Sequence, residues 1–207
     1  MIELYAVSLH TLTGRTEQLA GQLDAVRRER VLRLRQPGDN LSCLAGGLLL
    51  RAVFGPAADL VQTNSWGKPF LPDGKPFNLT HTGDYAVLAV ADTQIGVDLE
   101  RNRSVDAERI LKRWFHPMEQ ECYAQSPDPA KTFLTLWTLK ESYLKALGRG
   151  FYESPAQSCI LPEGEHGARL VPEGPWYFYT SQPFAGYQLA VCAEEPCVHG
   201  EMKLLEF

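Results

Sequence analysis

Apolar and polar positions alternate in the run Tyr-Ala-Val-Ser-Leu-His at residues 5–10, the period of a half-buried strand. The spacing then lengthens. Leu19, Leu23, Val26 and Leu32 recur at helical intervals through 17–34, which predicts one amphipathic helix. A second helix is predicted over 41–54, stopped by Gly55-Pro56, and the Gly- and Pro-rich stretch 65–78 reads as loop. Residues 85–92 and 94–100 read as two strands joined at Asp92-Thr93, a hairpin. Helical spacing returns over 107–115, restarts at Pro117, a favoured first helical position, and runs longest over 128–147, ended by Gly148. Three strand-like runs follow, at 158–161, 176–180 and 187–193. Helices and antiparallel strands in each half predict an α+β fold of two similar lobes related by a pseudo-twofold, residues 1–102 and 103–207. Each lobe is expected to be an antiparallel sheet with packed helices, without a strict sequence repeat.

Composition narrows the function classes. The 207 residues are 44% hydrophobic, enough for a substantial core, and carry a net charge of −5. Such a balance gives no general attraction to nucleic acid or an anionic membrane, so any bound anion needs a local cationic cluster. The opening residues "MIELYAVSLH" lack the basic and apolar regions of a secretory signal, and no transmembrane span is expected, so the reading is a cytoplasmic protein. Cys43, Cys122, Cys159, Cys192 and Cys197 are odd in number and form no CxxC pair, which points away from a disulfide framework or a zinc site.

Three stretches carry chemistry. In "IGVDLE", 95–100, Ile95, Val97 and Leu99 fill one face of a strand, leaving Asp98 and Glu100 together on the other. At a separation of about 7 Å and an effective dielectric near 20 they repel by about 2 kcal/mol, so the pair favours a cation nearby. In "WTLKESYLK", 137–145, Trp137, Glu141 and Lys145 share one helical stripe, while Lys140 falls in the adjoining apolar arc, where a cation needs an anion or a route to solvent. In the stretch 67–87, Thr80, His81, Thr82 and the upstream Lys68 are expected to converge on an anion, with Arg27, Arg30 and Arg33 of the first helix adding charge.

Taken in order, "GKP…FNLTHT", "GVDLE", "FHPME" and "WTLKESYLKALGRG" resemble the successive motifs of the phosphopantetheinyl transferases, in particular the longer, monomeric type that activates peptide and polyketide synthetases. The resemblance spans residues 67–150, and "GYQLAVCA" is similar to the family's closing strand. It implies an active site at the lobe interface and transfer of the phosphopantetheine arm of coenzyme A to a serine of an acyl, peptidyl or polyketide carrier protein, releasing adenosine 3′,5′-bisphosphate. It further implies Mg²⁺, with Mn²⁺ as a substitute, held by Asp98, Glu100 and Glu141, a pyrophosphate contact from Lys145, and a serine proton taken at or near Glu141. Arg27, Arg30, Lys68, Thr80 and His81 match positions that bind coenzyme A, chiefly at its 3′-phosphate end, where Ser42 stands in place of a frequent arginine. For carrier docking, Leu111, Trp114 and Phe115 are the candidates. The alternatives are a catalytically weak coenzyme A-binding module that only docks carriers, and a hydrolase that splits pyrophosphates with water.

Overall fold

A computed structural model describes residues 1–150, 154–196 and 201–207; Cys197 lies outside the described residues. The chain opens with β1 (Glu3–Ser8), a 3-10 turn, and two short helices, α1 (Thr16–Ala20) and α2 (Ala25–Arg33). The single helix expected here is broken because the Asp24 side chain accepts the Arg27 N–H at 2.9 Å and so caps a new start. The restart changes the phase: Leu19 and Val31 are buried, whereas Val26 is 79% exposed and Leu32 is also exposed. Next come α3 (Pro37–Phe54), ended by Gly55 at φ +57°, and a short pair, β2 (Gln62–Thr63) with β3 (Pro69–Phe70), inside the predicted loop. Gly38–Leu60 is long and apolar enough to cross a membrane by length and composition, contrary to expectation. Its Leu44, Ala45, Leu48 and Leu49 are buried in a core with β-strand residues such as Val7 and Leu88.

The remaining elements are β4 (Phe77–Thr82), β5 (Tyr85–Val90), β6 (Ile95–Arg101), α4 (Ala107–Trp114), α5 (Pro117–Ala124) and α6 (Pro129–Leu147). After them follow β7 (Cys159–Glu163), β8 (Gly167–Val171), β9 (Tyr177–Ser181), β10 (Tyr187–Ala193) and β11 (Lys203–Leu204). β8 and β11 were not anticipated. The strands form two main sheets, ordered β11-β1-β5-β4 and β6-β10-β9-β8-β7. The β1–β11 pair is parallel, so the first sheet is not purely antiparallel as expected. Ile95, Val97 and Leu99 join Leu4, Ala6, Val87, Ala89, Leu189 and Val191 in a core shared by both sheets.

The predicted hairpin between β5 and β6 does not exist. β5 instead pairs with β4, register Thr82↔Tyr85, through a tight turn at Gly83 (φ +54°) and Asp84. β6 pairs along its whole length with β10, from Tyr187↔Arg101 to Ala193↔Ile95. Residue 102, the expected lobe boundary, therefore follows a strand that belongs by pairing to the second sheet, and β11 returns to the first.

β4 and β6 are both sheet edges, and they run side by side without a backbone ladder. Side chains bridge them. Asn78 Oδ1 accepts the Val97 N–H at 2.9 Å, and Thr80 Oγ1 accepts the Leu99 N–H at 3.3 Å, so amides that an edge would leave unpaired are satisfied. This seam positions the site.

Candidate active site

Helix α6 lies directly on β6 because Gly96 has no side chain: a Cβ there would stand 2.0 Å from the Ser142 carbonyl oxygen and 2.3 Å from the Ala146 nitrogen. This close approach sets the helical stripe of Trp137, Glu141 and Lys145 opposite the polar face of β6. Trp137 Nε1 donates to Glu100 Oε1 at 3.1 Å, and Lys145 Nζ donates to Asp98 Oδ1 at 2.6 Å and to Thr80 Oγ1 at 3.2 Å. The Thr80 hydroxyl in turn donates to Asp98 Oδ1 at 3.3 Å. Asp98 is buried, and its second oxygen, Oδ2, has no hydrogen-bond partner.

Charge at the seam is unbalanced. Burial, and next the Asp98 carboxylate, push the Glu141 carboxyl up to about 7, against the pull of Lys145. Burial and then Asp98 also raise Glu100, opposed by the Trp137 hydrogen bond. Among the described residues no group of three or more His, Cys, Asp or Glu is already placed to hold a metal ion. The residues nevertheless suit a hard cation in kind: an orphaned, buried carboxylate oxygen beside two carboxyls whose ionisation burial opposes, with Lys145 as the counter-charge on Asp98.

Alongside lies a cavity of about 290 Å³ bounded by the 66–69 loop, Asn78 and Leu79 of β4, and Glu141, Leu144 and Lys145 of α6. Of the residues expected to bind coenzyme A, Lys68 and Lys145 line it. Thr80 and His81 are neighbours on a strand and so face opposite ways. The Thr80 hydroxyl turns to Asp98 and Lys145, while His81 feels Asp39 of α3. Partial desolvation and then Lys145 hold His81 below its ordinary pKa, with Asp39 opposing. Lys68 does not converge with them: its ammonium donates to the Ala146 and Ile95 carbonyls at 2.9 and 3.0 Å, and burial lowers its pKa to about 8. Arg27 is half-buried with Nε 3.6 Å from Asp24, and Arg30 is exposed; the Cys43 thiol, one residue beyond Ser42, feels both cations, though burial dominates and raises it.

Two of the three docking candidates are corrected by burial. Leu111 and Phe115 belong to a core with Phe133 and Leu136, and Trp114 is half-buried beside it. The sequence reading also missed what lies behind Lys140. Its ammonium meets Glu119 Oε2 at 2.8 Å, and both side chains are buried. The capping box of α5 places Glu119, whose Oε2 accepts the His116 N–H at 2.8 Å, a geometry the "HPME" spacing signals. That Oε1 also takes the Ile160 N–H, at 2.8 Å, depends on β7 and has no local signal.

Comparison with known proteins places the chain in a family. Residues 94–192 match the profile of the 4′-phosphopantetheinyl transferase superfamily. A 4′-phosphopantetheinyl transferase of Bacillus subtilis is 31% identical over 208 residues, covering 93% of this chain and 92% of the relative. The transferase Sfp of Bacillus subtilis strain 168 is 29% identical, covering 87% and 86%, and HetI of a Nostoc species is 35% identical, covering 72% and 69%. The solved holo-[acyl-carrier-protein] synthase of Thermotoga maritima aligns at 16% identity and a TM-score of 0.42, covering 50% of this chain and 64% of that one. With a relative 31% identical over nearly the full length of both chains and a profile match that takes in both β6 and α6, the chain belongs to the 4′-phosphopantetheinyl transferase superfamily.

Proposed function

We propose that this 4′-phosphopantetheinyl transferase takes coenzyme A, moves its phosphopantetheine arm to a serine of an apo carrier protein, and releases adenosine 3′,5′-bisphosphate. The observation that carries the reading is the buried, partnerless Asp98 Oδ2 beside Glu100, Glu141 and Lys145. Asp98, Glu100 and Glu141 are the residues that would hold Mg²⁺, or Mn²⁺ in its place, and the ion would supply charge neutralisation at the pyrophosphate. In the transfer the serine oxygen forms a bond to the β-phosphorus, the bond to the bridging oxygen breaks, and the bisphosphate leaves with that oxygen. Lys145, only partly buried at the cavity edge, stabilises the charge that grows on the leaving group. The serine proton is accepted at or near Glu141, which lines the cavity. His81, with Arg27 and Arg30 of α2, is expected to take the nucleotide end, chiefly its 3′-phosphate. The protein is expected to act as a cytoplasmic monomer.

The test is the intact mass of an apo carrier protein after incubation with this protein, coenzyme A and Mg²⁺, with a chelator control. A gain of one phosphopantetheine arm, lost with chelator, is the expected result. No gain across acyl, peptidyl and polyketide carriers overturns the reading, and coenzyme A consumed without carrier replaces it with hydrolysis.

A further inference from the structure

The β4–β6 seam carries the site yet has no ladder of its own; besides the Asn78 and Thr80 bridges and the shared core, contacts at its two ends hold the sheets in register. At one end Lys68 ties the Ile95 and Ala146 carbonyls. At the other, the turn of the β4–β5 hairpin is grasped from the second sheet. Tyr187 of β10 donates its hydroxyl to Asp84 Oδ2 at 2.9 Å and accepts the Asp84 N–H at 3.0 Å. The approach is close enough that a Cβ on Gly83 would lie 2.4 Å from the Tyr187 oxygen. Arg101, paired with Tyr187 in the β6–β10 ladder and next to Glu100, brings Nη1 to 3.8 Å from Asp84 Oδ2, and His10 brings Nε2 to 3.0 Å from Oδ1. Tyr187 is itself buried, its ring edge-on to Tyr85.

We propose that Tyr187 is a positioning residue: its hydroxyl, clasped on Asp84, fixes how the hairpin bearing Thr80 and His81 lies against the strand bearing Asp98 and Glu100. Coenzyme A, on the reading of the site given above, must touch both sides of that seam at once, whereas the three candidate metal ligands all stand on β6 and α6. Loosening the clasp therefore weakens coenzyme A and spares the metal.

The strand itself supplies the control. Val97 and Leu99 send their N–H groups across the seam, so the alternate amides of Gly96 and Asp98 face β10. In Tyr187→Phe, hydrogen exchange at Val97 and Leu99 should accelerate by about tenfold or more, while Gly96 and Asp98 stay within about twofold. By calorimetry coenzyme A should bind about tenfold more weakly, with the Mn²⁺ affinity unchanged. Equal acceleration at both sets of amides, or none at the seam, overturns the proposal, as does coenzyme A affinity within about twofold of the parent. If the parent protein fails to bind coenzyme A, the functional reading falls while the exchange contrast still decides the clasp. Should Tyr187→Phe not fold, Asp84→Ala, which keeps the ring in its core, is read by the same two measurements.

Discussion

Two lysines five residues apart on α6 each pair with a carboxylate from another element, and the two pairs are built to opposite specifications. In the pair Lys140–Glu119 the side chains are 3% and 0% exposed, and every oxygen is used: Glu119 accepts from Lys140, His116 N and Ile160 N, while Lys140 also donates to the Pro155 and Ser158 carbonyls. In the pair Lys145–Asp98 the side chains are 29% and 5% exposed, the contact is shorter at 2.6 Å, and Asp98 Oδ2 has nothing. Burial raises Glu119 and lowers Lys140, each against the pull of its partner, so the first pair is costly to desolvate and is held in place by its hydrogen bonds. A complete network fixes the rotation of α6; an incomplete one leaves a carboxylate oxygen for a ligand. The contrast separates architecture from chemistry within two turns of helix.

The sharpest way to break that contrast is to cut the closed pair. Lys140→Met leaves Glu119 buried without its cation and should cost about 3–5 kcal/mol in a denaturant titration. A loss similar to that of a surface substitution would mean the network is not structural. Asp98→Ala should do the reverse, lowering turnover by about a hundredfold or more, roughly 2.7 kcal/mol of barrier, while shifting unfolding free energy by less than about 1 kcal/mol. Comparable destabilisation by both variants would erase the distinction. Titration sharpens it further. Glu141 must lose its proton to ligate, so Mn²⁺ affinity should rise about tenfold per pH unit up to about 7 and level off above. A carboxyl raised on folding stabilises at low pH and ceases to do so as pH climbs through its folded value. The metal-free protein should therefore lose stability between about pH 5 and 7, and Glu141→Gln should flatten that slope. The smallest effect is expected from Trp137→Phe, which removes one hydrogen bond to Glu100 and should reduce kcat/KM by about three- to tenfold.

How much of this was legible in the sequence depended on whether the signal was local. The alternation in β6, the Gly148 stop (φ +65°) of α6 and the start of α5 at Pro117 are written in adjacent residues, and each stands in the structure as read. The need of Lys140 for an anion was also legible, because an apolar helical face leaves a cation few choices. The identity of that anion was not. Strand partners were misread for the same reason: 77–82, Phe-Asn-Leu-Thr-His-Thr, looks too polar for a strand until Asn78 and Thr80 are seen to serve the amides of β6. The two carbonyls that hold Lys68 left no sign in the sequence, where a loop lysine shows only its charge.

The return of β11 to the first sheet bears on the order of events during synthesis. Tyr5 and Ala6 of β1 find their partners in Lys203 and Leu204, and the Leu205 N–H closes on the Ala6 carbonyl at 2.8 Å, almost two hundred residues later. While the ribosome is still making the second sheet, β1 has one uncovered flank, an adhesive margin on a half-built protein. Residues 203–207 act as its late seal, with Leu205 and Phe207 packing over the first core. Until residues 203–205 have emerged, that margin of β1 stays open to misassociation.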